Sequence, residues 1–162
     1  MTRWIVDASP LIFLAKLDRL DLLRRSATEV LLPAAVLEEI RRHPDEASAS
    51  VEEALGTWLR MSVVRDRSAV EFLELDLGPG EAEAIALARE VQAERIVLDD
   101  QDARRFARRL GLVPIGTLGI LLAARLRGEL RALRAEIERL QDAGFRASPA
   151  LVAAVLQTAG EE

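Results

Sequence analysis

Apolar residues come in two kinds of run along this chain: short and unbroken, or longer and spaced by three and four. The short runs sit at residues 4–6 (WIV), 30–32 (VLL), 96–98 (IVL) and 112–115 (LVPI). Their lengths, and their richness in valine and isoleucine, predict strands buried on both faces. "LRMSVV" predicts one more. Between them the spacing turns helical, first through "LIFLAKL" and "DRLDLLRRS". Ser9 followed by Pro10 reads there as a capping hydroxyl and a proline at the first helical position.

Further helices are predicted along the rest of the chain. Pro33 opens "PAAVLEEIRR", and "HPDEASAS" reads as a loop before the helical "VEEALGTWL". "SAVEFLELDL" suggests a helical turn and then irregular chain, and "GPG" breaks the backbone before "EAEAIALAREVQA". "DARRFARRL" is a helix, and "TLGILLAARLRG" is so apolar that it must be well buried. Leu130, Leu133, Ile137 and Leu140 form the stripe of another helix, and "SPALVAAVL" repeats the serine–proline start.

Strands alternating with helices predict an α/β fold, a three-layer α/β/α sandwich around a mainly parallel sheet. With no repeat, low-complexity tract or linker, we expect a single domain over residues 1–162 whose C-terminal part, about 128–162, is helical. In such sheets function collects at the carboxyl ends of the strands, near a reversal of strand order. Asp7 and the pair Asp99–Asp100 occupy such ends.

Composition narrows the chemistry. Half of the 162 residues are hydrophobic and 30% are charged, which excludes a disordered chain. No stretch is apolar enough to span a bilayer and none reads as a leader, so a cytoplasmic location is expected. Without cysteine there is no disulfide, thiolate site or cysteine nucleophile. The one histidine, His43, follows a helix and precedes a proline, which predicts an exposed loop remote from catalysis. The net charge of −5 argues against a basic nucleic-acid coat, while leaving room for a local stripe.

Four places hold acids that such a fold brings together. On the helix with Val36, Leu37 and Ile40 facing the core, Glu39 lies roughly 100° from the core direction and Glu38 roughly 150°. Glu39 therefore edges the core and Glu38 points to water. Glu81 sits in the first turn after "GPG", and Asp102 at another helix start, where either also suits the helix dipole. Asp100 has an ordinary role too, as a cap. Gathered in one pocket, carboxylates repel by on the order of 4 kcal/mol per pair at ~4 Å. Oxygen-only donors of this kind favour Mg²⁺ or Mn²⁺ over zinc.

The pieces "IVDASPLIFLAKL", "LLPAAVLEEI", "LGPGEAEAIALA", "IVLDDQDARRFARRLGL" and "GTLGILLAA" resemble, in order, the PIN-domain nucleases, and in particular bacterial PIN-like proteins related to VapC-type toxins. The likeness covers roughly residues 4–125, and "GFRASPALVAAVL" is similar to the subgroup's tail. It implies a metal-dependent ribonuclease, the toxin half of a toxin–antitoxin pair, with an RNA substrate, an antitoxin partner and a homodimer. Asp7 matches the first-strand aspartate, with Ser9 as its supporting hydroxyl. Glu39 matches the helix glutamate and Glu81 the third acid, which is often aspartate in relatives. The fourth is Asp99 by the strand end or Asp100 by the loop, with Asp102 in an outer position. One or two Mg²⁺ or Mn²⁺ ions on these acids would polarise the scissile phosphate and acidify a water.

Arg104, Arg105, Arg108 and Arg109 share the outer face of the helix whose inner stripe is Ala103, Phe106, Ala107 and Leu110, so they can grip phosphates or lie in a solvated face. Two other α/β readings fail on single residues. A receiver domain needs a late-strand lysine, and Lys16 is the only lysine. A dehalogenase-type phosphatase needs an aspartate where Ser9 stands. A PIN-like binding or regulatory module with little or no nuclease activity remains the alternative.

Overall fold

The computed structural model of the chain describes residues 1–161. Five parallel strands make one sheet: β1 (Arg3–Val6), β2 (Glu29–Pro33), β3 (Leu59–Ser62), β4 (Arg95–Val97) and β5 (Pro114–Ile115). Their order across the sheet is β3-β2-β1-β4-β5. The chain therefore builds outward from β1 on one side, then comes back and builds outward on the other. That reversal opens a crevice at the carboxyl ends of β1 and β4. Across it the N–H of Asp7 donates to the carbonyl of Val97 at 3.1 Å, which pins Asp7 to the rim.

Alternation along each strand splits the apolar residues between two faces. Trp4, Val6, Val30, Leu32 and Val97 join one core. It is covered by α1 (Ala8–Lys16), α2 (Asp21–Ser26), α3 (Ala34–Arg42), α4 (Glu46–Leu55), α8 (Thr117–Leu126), α9 (Leu133–Asp142) and α10 (Pro149–Thr158). Ile5, Leu31, Ile96 and Leu98 join the other core, under α5 (Arg67–Leu73), α6 (Pro79–Glu90) and α7 (Gln101–Arg109). The result is the expected three-layer α/β/α sandwich. Among the described residues no helix is long and apolar enough to cross a membrane.

Local chemistry explains where the helices start. Gly78 precedes α6 and Pro79 takes its first position, where a missing N–H costs nothing. Nearly all of α6 from Gly80 to Ala88 is buried, because its alanines let the helix lie close to the strands and to α3. Ser148 caps α10 as expected, accepting from the N–H of Leu151 at 3.1 Å.

Two expectations need correction. Helix α1 begins at Ala8 with Asp7 before it, so Ser9 already lies inside the first turn and its hydroxyl cannot cap. The stretch expected as a loop, "HPDEASAS", becomes helical from Glu46. Asp45 accepts the N–H of Ser48 at 2.8 Å, and the Ser48 hydroxyl accepts the N–H of Asp45 at 2.7 Å. That reciprocal pair satisfies two amides and starts α4 early.

Candidate active site

Asp7 leaves the end of β1 almost fully buried, at 7% exposure, and its side chain caps nothing. Its carboxyl is pushed up to about 7. Burial is the main cause, opposed by the N–H of Ala8 and reinforced by the charges of Glu81, Glu39 and Asp99. Those three neighbours come from α6, from α3 and from the loop after β4. Sequence reasoning named Glu39 and Glu81, and left the fourth acid open between Asp99 and Asp100.

Gly80 shows how closely two of these elements meet. A Cβ built on it would stand 3.5 Å from Asp7 Oδ1 and 3.5 Å from Glu39 Oε1. The first turn of α6 thus passes beside both carboxylates, and glycine keeps the space next to them free of a methyl group. Glu38 and Glu39 are both exposed on α3, and only Glu39 reaches Gly80. Glu81, next along α6, is half-buried and its pKa is raised. Burial leads, followed by the charge of Asp100, a lowering backbone hydrogen bond from Gly78, and then the charges of Glu39 and Asp102.

The two adjacent aspartates divide the work. Asp99 Oδ1 accepts the N–H of Thr117 at 2.7 Å, and Oδ2 accepts the Thr117 hydroxyl at 2.7 Å. Asp100 caps α7, accepting the N–H of Ala103 at 2.9 Å. The charge of Asp99 acts on Asp7, while that of Asp100 acts on Glu81. Ser9 donates to Asp99 Oδ2 at 3.4 Å and so supports Asp99 rather than Asp7. Lying two residues into α1, it has turned away from the end of β1 and toward the loop after β4. Asp102 is exposed and paired with Arg105.

The family model DUF3368, which describes a PIN domain, matches residues 3–161. This chain belongs to the PIN-domain family. Among solved structures it is similar to a PilT N-terminus domain protein from the hyperthermophilic archaeon Sulfolobus solfataricus P2. That likeness has 18% identity and a TM-score of 0.50, covering 80% of this chain and 95% of that one. At such identity the likeness concerns the fold. No curated protein matches the chain. A PIN domain is a nuclease-type fold, which supports hydrolase chemistry in general terms.

Within this PIN domain the predicted arginines part company. Arg104 is half-buried beside Asp99. A Cβ on Gly116 would lie 2.8 Å from Arg104 Nη1 and 3.1 Å from Asp99 Oδ1, so glycine makes room for both. Burial and the charge of Arg108 lower the Arg104 pKa, against the pull of Asp99. Arg105 is taken by Asp102, and Arg108 points outward. Ala103 and Ala107 are fully buried beneath them, as the stripe predicted.

Two residues near the acids escaped sequence reasoning, and a third was misplaced by it. Thr117, fully buried, holds Asp99. Glu83, 7% exposed, accepts the N–H of Ala35 at 3.0 Å and pairs with Arg67 at 3.1 Å, tying α6 to the start of α3. His43 is exposed as expected but not remote. It lines a groove of about 340 Å³ with Glu39, Ser9, Phe13 and Lys16, because the end of α3 folds back beside α1. A larger cleft of about 850 Å³ runs along β3 and contains none of the predicted acids.

Among the described residues, no three acidic side chains come together as a ready-made metal cage. The donors nonetheless suit a divalent cation in kind: carboxylate oxygens only, with Asp7 and Glu39 both flanking the bare Cα of Gly80.

Proposed function

We propose that this PIN-domain protein is a ribonuclease that hydrolyses phosphodiester bonds with Mg²⁺ or Mn²⁺ held by Asp7, Glu39, Glu81 and Asp99. The observation that carries the proposal is the burial of Asp7 at the switch point with three carboxylates from distant parts of the chain as its electrostatic neighbours. Such a group destabilises the fold near neutral pH unless a proton or a cation offsets it.

Each residue then has a task. Asp7 carries a proton near neutrality, and that proton must leave before its oxygens can act as ligands. Thr117 and Ser9 orient Asp99, and Glu83 sets α3 against α6, which places Glu39 beside Gly80. Asp100 starts α7 and adds negative charge next to Glu81. Arg104 offers its guanidinium at the edge of the acids, where a phosphate must come. The bound cation would supply Lewis-acid polarisation of the phosphate and a water acidic enough to attack near neutral pH. No side-chain nucleophile is required.

The finer role, toxin of a toxin–antitoxin pair acting as a homodimer in the cytoplasm, rests on the resemblance of the ordered motifs. Coexpression with the neighbouring gene product should relieve growth arrest, and unchanged toxicity removes that role.

A second reading, a PIN-like binding module, is favoured by the lack of a ready-made cage among the described residues and by Asp99 spending both oxygens on Thr117. Cleavage assays separate the two. RNA hydrolysis that needs Mg²⁺ or Mn²⁺, stops with EDTA and is abolished by Asp7→Asn supports the nuclease. Absence of cleavage of any RNA, with tight binding to another protein, supports the module.

A further inference from the structure

A cleft of about 420 Å³ opens on the Asp99 side of the acids, between the β5–α8 turn and the segment that joins α9 to α10. Asp99, Arg104, Gly116, Phe145, Arg146 and Ser148 are among the residues that line it. One wall is therefore built by the C-terminal helices, which neither the acidic motifs nor the arginine face of α7 implicated.

Two arginines line this cleft, Arg104 from α7 and Arg146 from the segment that joins α9 to α10. Arg104 is half-buried and Arg146 is exposed at the mouth. Neither forms an ion pair with a described carboxylate, whereas their neighbours Arg105 and Arg139 are both paired. Asp99 keeps its charge in the lining but forms no ion pair with either arginine, so two cations stand against one carboxylate in this cleft. The β5–α8 turn borders the same space, and Asp99 accepts the N–H of Thr117 there. The opposite wall is held in place by the Phe13–Phe145 edge-to-face pair at 5.2 Å and by the Ser148 cap on α10. Arg146 thus follows an anchored ring and precedes a fixed helix start.

We infer that this cleft binds the phosphodiester backbone of a single nucleic-acid strand, with Arg104 and Arg146 gripping phosphates next to the one placed at the acids. The inference rests on the nuclease reading for the direction of the strand, and on the cleft alone for its binding. Planar guanidinium groups suit phosphate oxygens, and two of them on facing walls fix a strand more tightly than one face could. The C-terminal helices then serve as one jaw of the substrate site. Sequence preference is not required of such contacts.

The test is fluorescence anisotropy with labelled single-stranded oligomers, RNA and DNA in separate arms, in EDTA so that nothing is cut. Arg146→Ala should weaken binding roughly fivefold to tenfold near 0.1 M salt and flatten the dependence on log salt by about 0.7, the signature of one lost phosphate contact on a single strand. Arg104→Ala should do at least as much. Arg65→Ala, in the cleft along β3, should leave binding unchanged, and thermal melts check that each variant is folded. Unchanged binding in folded Arg146→Ala overturns the inference, as does an equal loss in Arg65→Ala. A loss seen only with polyglutamate overturns it in favour of an acidic protein partner. Cleavage indifferent to both arginines keeps the nuclease reading and removes the cleft. Strand binding that needs both arginines, in a protein that cuts nothing, keeps the cleft and removes the nuclease.

Discussion

Glu83 on α6 accepts the backbone N–H of Ala35, in the first turn of α3, at 3.0 Å, and does so while 7% exposed. One carboxylate buried in an alanine-rich helix thereby sets the position of the helix that carries Glu39. Its other oxygen takes Arg67 at 3.1 Å.

Removing that carboxylate leaves the part-buried N–H of Ala35 without its partner and frees the start of α3. Glu83→Ala should lose about 1–3 kcal/mol of stability in chemical denaturation, and Glu83→Gln less, because an amide oxygen still accepts from Ala35. Equal stability of all three proteins would show that the contact is dispensable.

Gly80→Ala separates the site from the fold. The added methyl would meet Asp7, Glu39 and Val36 at ordinary contact distance, 3.5 Å in each case, so the melting temperature should hold or rise slightly. The same methyl fills the space beside the two carboxylates. RNA cleavage should fall at least about tenfold, as expected when the surroundings of a ligand set are disturbed. A folded variant with undiminished cleavage would place the chemistry elsewhere.

Thr117→Val keeps the backbone N–H that holds Asp99 Oδ1 and deletes the hydroxyl that holds Oδ2. With Asp99 Oδ2 left only its longer contact with Ser9, Mn²⁺ affinity or activity should drop about 10–100-fold. The change is read most simply as a higher metal concentration for half-maximal cleavage.

Much of this was legible in the sequence, and the misses have physical causes. Runs such as "WIV" and "IVL" marked central strands because both their faces are buried, and Asp7 stood out at the end of one of them. The choice between Asp99 and Asp100 was not readable, since adjacent residues both fit a strand end. Only the partners separate them, Thr117 for one and the α7 amide for the other. Glu83 was hidden two residues from Glu81. On a helix that spacing is about 200°, so one side chain faces the cleft and the other the core. The signal was present in "EAEAIALA", whose alanines and isoleucine leave no polar face to hold a second glutamate. Asp45 was missed because small polar residues around a capping box look like a loop until the reciprocal bonds form. Arg146 gave no sign at all, since its meaning depends on where the last two helices return.

Metal-free protein should lose stability as pH rises from about 4 to about 7. Asp7 has a folded pKa of about 7 against 3.8 for an ordinary aspartate, so over that range the folded state holds a proton the unfolded chain has released. The loss is complete above about pH 8 and amounts to about 4 kcal/mol at most. Asp7→Asn should flatten this slope and be the more stable protein at pH 8 in EDTA, although inactive. Denaturation midpoints at pH 5 and pH 8 check it, and parallel pH profiles for the two proteins would contradict it.

The most direct measurement is calorimetric titration of Mn²⁺ into the protein at pH 7.5, wild type beside Asp7→Asn. Saturable binding by the wild type, with an observed heat that changes with the buffer's ionisation enthalpy because protons are released, and its loss in the variant is the predicted result. Identical heats from the two proteins, or none from the wild type, would mean that the buried aspartate does not hold a cation.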